Sequence, residues 1–410
     1  YNTDYLRKML SSFDISFETT GDTEIILYCY LVFGTDIFKE LNGIFSFVIY
    51  DNDTAIVVRD HIGVKPLFYY HNNREFVFSS EPKGIFAYGI KPMINSDSWC
   101  EIIGLGPAHT LGNGVFKDIK EVLPGHYLTV TTDYHHNVKV KDLCYWKLKA
   151  KPHIDDYNTT VDKCSYLITD SIQKQMVSDI PICTFLSGGL DSSAISAIAA
   201  EEYKKKNKVL TTYSIDYEDN EKYFKSSLFQ PTSDKYYAEV MAKYIGSDHR
   251  TVVLNHTDLV NALDDALIGR DLPGMADVDS SLYLFCKEVK KDFVIALSGE
   301  CADELFGGYP WFTNEEMINS NTFPWSRFIG ERKAILSPEL KSLKIEEVAK
   351  SAYSDTLKEI PHLYGESSLE YRMRELFYLN LRWFMVNLLN RKDRMSMANS
   401  LEVRVPFPDY

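Results

Sequence analysis

Two short segments hold residue types that could do chemistry together. Ser187-Gly188-Gly189-Leu190-Asp191-Ser192-Ser193 packs two glycines, three hydroxyls and one carboxylate into seven residues. Glycines let backbone N–H groups approach anionic oxygens closely, and a helix start behind them adds a favourable dipole, so the loop suits a polyphosphate. Ser187, Ser192 and Ser193 can add hydroxyl donors. Asp191 would repel phosphate directly, so the role its charge allows is to hold Mg2+ against the phosphates. No Gly-Lys-Ser/Thr follows, which separates this loop from the common phosphate cradle of NTPases. A plainer alternative is a Gly-Ser turn that only starts a helix.

The second segment is Ser298-Gly299-Glu300-Cys301-Ala302-Asp303-Glu304-Leu305-Phe306-Gly307-Gly308-Tyr309. Glu300, Asp303 and Glu304 put three carboxylates within five residues. Their mutual repulsion is costly unless a cation or polar ligand offsets it. Ser298 and Gly299 can present backbone donors to a nucleotide. Asp303 can join Asp191 around Mg2+, and Glu300 can face a reacting carboxylate or an incoming amine. A solvated helix start would also account for the acidic residues, since they favour helix N-termini. Only placement of both loops on one sheet edge makes the pair a site.

Each loop needs a buried strand before it. Ile180–Leu186 and Phe293–Leu297 are apolar runs of that length, with further strands expected at Val209–Ile215 and Arg250–Leu254. Helices are expected at Val161–Met176, Ser192–Tyr203, Tyr236–Ile245 and Ser280–Lys290. Strands alternating with helices predict an α/β, doubly wound, mostly parallel sheet over residues 157–410. Residues 1–150 read differently, as α+β. There Ile44–Tyr50 and Thr54–Val58 flank the turn Asp51-Asn52-Asp53, and Pro66–Tyr70 and Glu75–Phe78 flank His71-Asn72-Asn73. Gly125–Val130 is another short strand, and one helix spans roughly Asp22–Phe33. His153–Tyr157 is the expected linker.

Composition narrows the classes. The chain has 410 residues and 45% hydrophobic content, enough for two or three ordinary domains. With 44 Lys+Arg against 58 Asp+Glu the net charge is −14, which argues against a nucleic-acid partner. The 7 cysteines are scattered and none has Cys-x-x-Cys spacing, a pattern that fits a reducing cytoplasm better than a disulfide or zinc scaffold. The longest apolar stretch, Leu376 to Leu389, is broken by Asn380, Arg382 and Asn387, and predicts a buried helix rather than a membrane span.

With a strand before it and a helix after it, Ser-Gly-Gly-x-Asp-Ser resembles the signature of the PP-loop ATP pyrophosphatases, which cleave ATP between the α and β phosphates. That resemblance implies that ATP lies along Leu186, Ser187, Gly188, Gly189, Asp191, Ser192, Ser298 and Gly299. It also implies that Thr212-Tyr213-Ser214-Ile215-Asp216 brings the Ile215 backbone near adenine. The side chains of Leu186 and Ile215 serve equally well as ordinary core. Adding Asp393-Arg394-Met395-Ser396-Met397-Ala398 and Glu402-Val403-Arg404-Val405-Pro406-Phe407, the second half resembles the glutamine-hydrolysing asparagine synthetases. The resemblance implies Glu300, Asp191 and Asp303 as catalytic residues, with Asp191 and Asp303 holding Mg2+. Cys301 stands where glycine is commoner and reads as a passive small residue.

The first half resembles the class II glutamine amidotransferase domain, of the N-terminal nucleophile type. Leu41-Asn42-Gly43-Ile44-Phe45-Ser46-Phe47, Arg59-Asp60-His61-Ile62-Gly63 and Thr20-Gly21-Asp22-Thr23-Glu24 carry that likeness. It implies that Asp22 binds the α-amino group of glutamine, although Asp22 also suits a helix N-cap. The family's nucleophile is an N-terminal cysteine, and Tyr1-Asn2 match the end of its Asn-Gly-Glu-Ile-Tyr-Asn stretch. About seventy residues of that domain are therefore expected ahead of this sequence, and a lysine-bearing segment beyond Val-Pro-Phe is expected after it. The implied substrates are aspartate, glutamine and ATP, with no nucleic acid or membrane, and a homodimer is expected from the family's habit. Two rivals share these features: a sibling amide ligase such as a β-lactam synthetase, and a nucleotide-binding protein without catalysis.

Overall fold

Two stretches of different periodicity form separate compact units in the computed structural model, which describes residues 1–226, 232–326 and 328–410. One unit comprises Tyr1–Ile90, Asp118–Leu148 and Asp409–Tyr410; the other comprises Lys91–Lys117 and Lys149–Pro408.

The first unit is built on antiparallel strands: β1 (Ser46–Asp51), β2 (Thr54–Arg59), β3 (Phe68–His71), β4 (Phe76–Ser79), β5 (Ile119–Glu121), β6 (His126–Thr132) and β7 (Val138–Cys144). They form sheets of order β1-β2-β6-β7 and β4-β3-β5. Both expected hairpins are present. In the first, Asn52 (φ 43°) and Asp53 (φ 66°) take the left-handed conformation that a two-residue hairpin turn requires. The Asp22–Phe33 helix buries Ile25 and Cys29 on one face, in a core shared with Leu6, Leu10, Phe38 and Ile56. The Thr3–Leu10 helix and β7 were not anticipated.

The second unit holds β8 (Ile182–Phe185), β9 (Thr211–Tyr217), β10 (Asp248–Leu254), β11 (Ile295–Leu297) and β12 (Glu402–Arg404), in the order β10-β9-β8-β11-β12. Every pairing is parallel. Alternate residues of the inner strands face opposite cores, as a doubly covered sheet demands. Cys183, Phe185 and Ala296 pack with Phe285, Cys286 and Val289 of the Ala276–Val289 helix. On the other face Ile182, Ile295 and Leu297 pack with Ile172 and Ile195, from the Tyr157–Gln175 and Leu190–Lys205 helices. The order reverses at β8: β9 and β10 lie to one side, β11 and β12 to the other. In open α/β sheets ligands bind beyond the strand ends at such a reversal.

Residues 91–117, read with the first half from sequence, belong to the second unit. Leu105 and Ala108 find their burial there, in a core with Phe323, Tyr353 and Trp383, and the Arg332 guanidinium donates to the Gly106 carbonyl at 2.9 Å. The apolar run Leu376–Leu389 is helical but not uniformly so. A π-turn at Asn380–Phe384 separates the Ser368–Leu379 and Met385–Met397 helices. No helix among the described residues is long and apolar enough to cross a membrane.

Candidate active site

The chain leaves β8 through Leu186, whose N–H donates to the Tyr213 carbonyl at 2.8 Å. The Leu186 N–H is thus committed to the sheet. Gly188 follows at φ +87°, and a Cβ there would lie 2.4 Å from the Ala238 nitrogen. Only glycine fits that conformation and that approach to the Asp234–Ile245 helix. Ser192, in the first turn of the next helix, ties the loop together. Its Oγ lies 3.0 Å from the Ser187 Oγ, accepts from the Ser187 N–H at 3.2 Å and donates to the Gly189 carbonyl at 3.2 Å. That hydroxyl shapes the loop, a duty its residue type does not announce.

On the neighbouring strand, the Ser298 N–H donates to the Arg404 carbonyl at 2.9 Å, extending the β11–β12 ladder by one step. Gly299 then meets the first loop. A Cβ on it would lie 3.0 Å from the Ser192 nitrogen and 3.2 Å from the Asp191 Cβ. The two loops are therefore in contact. Cys301 is buried at φ +78°. A left-handed residue explains why glycine is commoner here, since a side chain costs about 1–2 kcal/mol in that region. Burial pushes the Cys301 thiol well above its ordinary range, which disfavours the thiolate. Gly308 lies so close to Asp303 that a Cβ would sit 1.8 Å from the Asp303 Oδ1.

Both loops line one cavity of about 370 Å³. Leu186, Ser187, Gly189, Asp191, Ser192, Ile215, Ser298, Gly299, Glu300 and Asp303 all contribute to its wall. Gly188 backs the loop from behind. Phe185, Tyr213 and Phe285 add an aromatic side, with the Phe185 and Phe285 rings edge-to-face at 4.8 Å. Asp22 belongs to the first unit, exposed in the first turn of its helix. The N-cap position there is Gly21, so Asp22 does not cap the helix. Glu24 orders the approach to it, accepting from the Glu18 and Thr19 N–H groups at 2.8 Å each.

Charge in the cavity is divided. Burial, helped by the Asp303 charge, pushes the Asp191 carboxyl up to about 6. Burial and Glu300 raise Asp303 as well. Burial lifts Glu304 to about 7, against a 2.5 Å hydrogen bond donated by the Tyr309 hydroxyl. Glu300 goes the other way. Burial would raise it, but Lys392 at 2.9 Å and Arg391 at 3.1 Å outweigh that and hold it below the usual carboxylate range. Among the described residues no three His, Cys, Asp or Glu side chains form a metal cage by themselves. Two carboxylates on one cavity wall, with the Asp303 charge destabilising that of Asp191, nonetheless suit Mg2+, which takes one or two carboxylates and fills its shell with phosphate oxygens and water.

Sequence reasoning missed Arg391, Lys392 and Lys235. The first two stand just ahead of the Asp393-Arg394 motif, and that adjacency was the available signal. Lys235 lines the cavity from the Asp234–Ile245 helix, 2.9 Å from Glu221 and 3.8 Å from Asp216. In the first unit the Arg59-Asp60-His61 motif proves to be a loop anchor. Arg59 pairs with Glu121 at 2.9 Å and donates to the Gly63, Lys65 and Val122 carbonyls. The Asp60 carboxylate accepts from the N–H groups of Ile62, Gly63, Val64 and Lys65.

Comparison with known proteins accords with this geometry. The asparagine synthase family model matches residues 163–410, and a glutamine amidotransferase domain model matches residues 1–143. The whole chain aligns at 48% identity with 66% of the glutamine-hydrolyzing asparagine synthetase 3 of Bacillus subtilis. It aligns at 28% identity with 67% of asparagine synthetase 1 of the same organism. A putative asparagine synthetase of Methanocaldococcus jannaschii shares 28% identity over 94% of this chain and 73% of its own length. The chain thus spans about two thirds of the length of the two Bacillus relatives.

Proposed function

From a chain that belongs to the asparagine synthase family, we propose a ligase that amidates aspartate to asparagine, consuming ATP and releasing AMP and pyrophosphate. The observation that carries this is the contact of the glycine-rich loop after β8 with the acidic loop after β11, at the point where strand order reverses. The aspartate side-chain carboxylate attacks the α-phosphorus of ATP, giving β-aspartyl-AMP and pyrophosphate. Ammonia then displaces AMP.

Ser187 and Gly189 present the loop to the polyphosphate, with Gly188 letting the backbone turn and Ser192 holding it. The aromatic side formed by Phe185, Tyr213 and Phe285 takes the adenine, beside the Ile215 and Leu186 backbones. Asp191 and Asp303 hold Mg2+, which when bound neutralises the phosphates and the charge that grows on them. Glu300, kept ionised by Arg391 and Lys392, faces the reacting centre and receives the incoming amine. The glutamine amidotransferase unit supplies that ammonia from glutamine, with Asp22 binding the glutamine α-amino group. Dimerisation and a cytoplasmic location complete the proposal.

The test is isotopic. Aspartate labelled with ¹⁸O in its side-chain carboxylate is incubated with the protein, ATP, Mg2+ and ammonium. Adenylation leaves one labelled oxygen in AMP, which mass spectrometry detects. ADP and phosphate as products, or unlabelled AMP, would refute the mechanism.

A further inference from the structure

Glu300 is one carboxylate between two cations, and no more than 14% of any of the three side chains is exposed. Arg391 Nη2 meets its Oε1 and Lys392 Nζ meets its Oε2. The trio carries one surplus positive charge. It also has surplus donors, because a guanidinium offers five N–H bonds and an ammonium three. Among the described residues the Arg391 Nε is buried without a partner, and its Nη1 reaches the weakly accepting Met275 Sδ at 4.0 Å. Lys392 also stands 5.5 Å from the Phe185 ring centroid, which fixes it against the cavity wall. Asp191, Asp303 and Glu304 give another part of the same wall the opposite sign.

We propose that Arg391 and Lys392 form the subsite for a carboxylate of the acceptor amino acid, the carboxylate that does not react. This rests on the ligase function above. The chemistry separates the acceptor's two carboxylates. One that is neutralised by two cations is a weak nucleophile toward phosphorus, so the reacting carboxylate must lie elsewhere, near the phosphates. The non-reacting one gains from the surplus charge and offers strong acceptors to the spare N–H bonds of the pair. Glu300 serves the subsite by holding both cations in place, and it keeps the pair from binding phosphate instead. Selection of an α-amino dicarboxylic acid over an acceptor with a single carboxylate follows.

The experiment measures AMP formation by the full chain with aspartate and with 3-aminopropanoate, which is aspartate without its α-carboxylate. Lys392→Met raises the aspartate KM roughly 10- to 100-fold, the range expected for losing a charged hydrogen bond. The KM for ATP and the KM for 3-aminopropanoate stay within about threefold of wild type, while any fall in kcat through Glu300 is common to both acceptors. Lys392→Arg, which keeps the charge, retains most of the aspartate affinity and guards against a folding artefact. The proposal is overturned if Lys392→Met and Arg391→Met lower kcat with the aspartate KM unchanged, for the pair then acts only by positioning Glu300. It is also overturned if the KM values for both acceptors rise equally. Wild-type protein that forms no aspartate-dependent AMP would instead remove the ligase assignment, and that failure is visible without any variant.

Discussion

Replacing Gly299 by alanine drives one methyl group between the two loops. Gly299 does not lie in the left-handed region, so its backbone accepts a side chain without strain of its own. The added carbon would lie 3.0 Å from the Ser192 nitrogen, 3.2 Å from the Asp191 carbonyl carbon and 3.2 Å from the Asp191 Cβ. Carbon contacts are optimal near 3.5–4.0 Å, so the loops must part by a few tenths of an ångström. Overpacking by one methyl costs about 1 kcal/mol, which in a chain of this size lowers Tm by only about 1–2 °C. Catalysis is more sensitive, since a misplacement of about 1 Å is worth roughly 100-fold. Parting by about a third of that distance predicts a roughly 3- to 10-fold loss in aspartate-dependent AMP formation, with the fold intact. Gly299→Val should go further, toward about 100-fold. The assay is initial AMP release under saturating ATP, beside a thermal melt of the same sample. Wild-type rates in Gly299→Val would refute the claim that the loops act as one site. A large drop in Tm would refute the claim that only their mutual position is disturbed.

Gly188→Ala is expected to be worse for the fold, because it adds about 1–2 kcal/mol of left-handed strain to a Cβ that would lie 2.4 Å from backbone; a Tm within about 1 °C of wild type would contradict it. Asp191→Asn should abolish AMP formation and remove the rise in Tm that ATP with Mg2+ produces, while ATP-free protein keeps its circular dichroism spectrum; retained Mg2+-dependent stabilisation would deny Asp191 its metal role. Acid unfolding should respond to Lys392→Met. The fold depresses the Glu300 carboxyl below its ordinary 4.5, so Glu300 stabilises above that pH and the stabilisation is lost as pH falls through the depressed value. Without Lys392 the depression shrinks and the acid midpoint of an ellipticity titration moves to higher pH; an unmoved midpoint would show that Lys392 does not set the Glu300 charge.

Much of the site was legible because its parts are contiguous. A strand, a glycine pair and a helix start follow one another within Ile182–Lys205, and their residue types state their purpose. Ile295–Phe306 likewise runs from a strand through the single Gly299 to a helix start. What a sequence read in order conceals is which distant segment completes the wall. Arg391 and Lys392 reach Glu300 across 91 and 92 residues, carried by a helix whose apolar pattern spoke only of burial. β12 was hidden in the same way. Glu402-Val403-Arg404 registered as part of a signature, and only the pairing of Val403 with Ala296 makes it an edge strand. Residues 91–117 carry too short an apolar pattern to announce which core they join. The backbone of Cys301 could not be foreseen either, since its left-handed φ comes from how the loop after β11 must turn.

Strand order is the deepest of these hidden facts, and the site depends on it. β8 and β11 are joined by more than a hundred residues, yet they are hydrogen-bonded neighbours, with Ile295 opposite Ile182 and Leu297 opposite Thr184. Their loops meet only because β11 adds to the free side of β8, the side away from β9. Had β11 continued the sheet beyond β10, every motif would survive unchanged and each loop would still sit at a strand's carboxyl end. Three strand spacings would then separate them, about 14 Å. At that distance no single ion could reach both Asp191 and Asp303, and Gly299 would have no reason to lack a side chain.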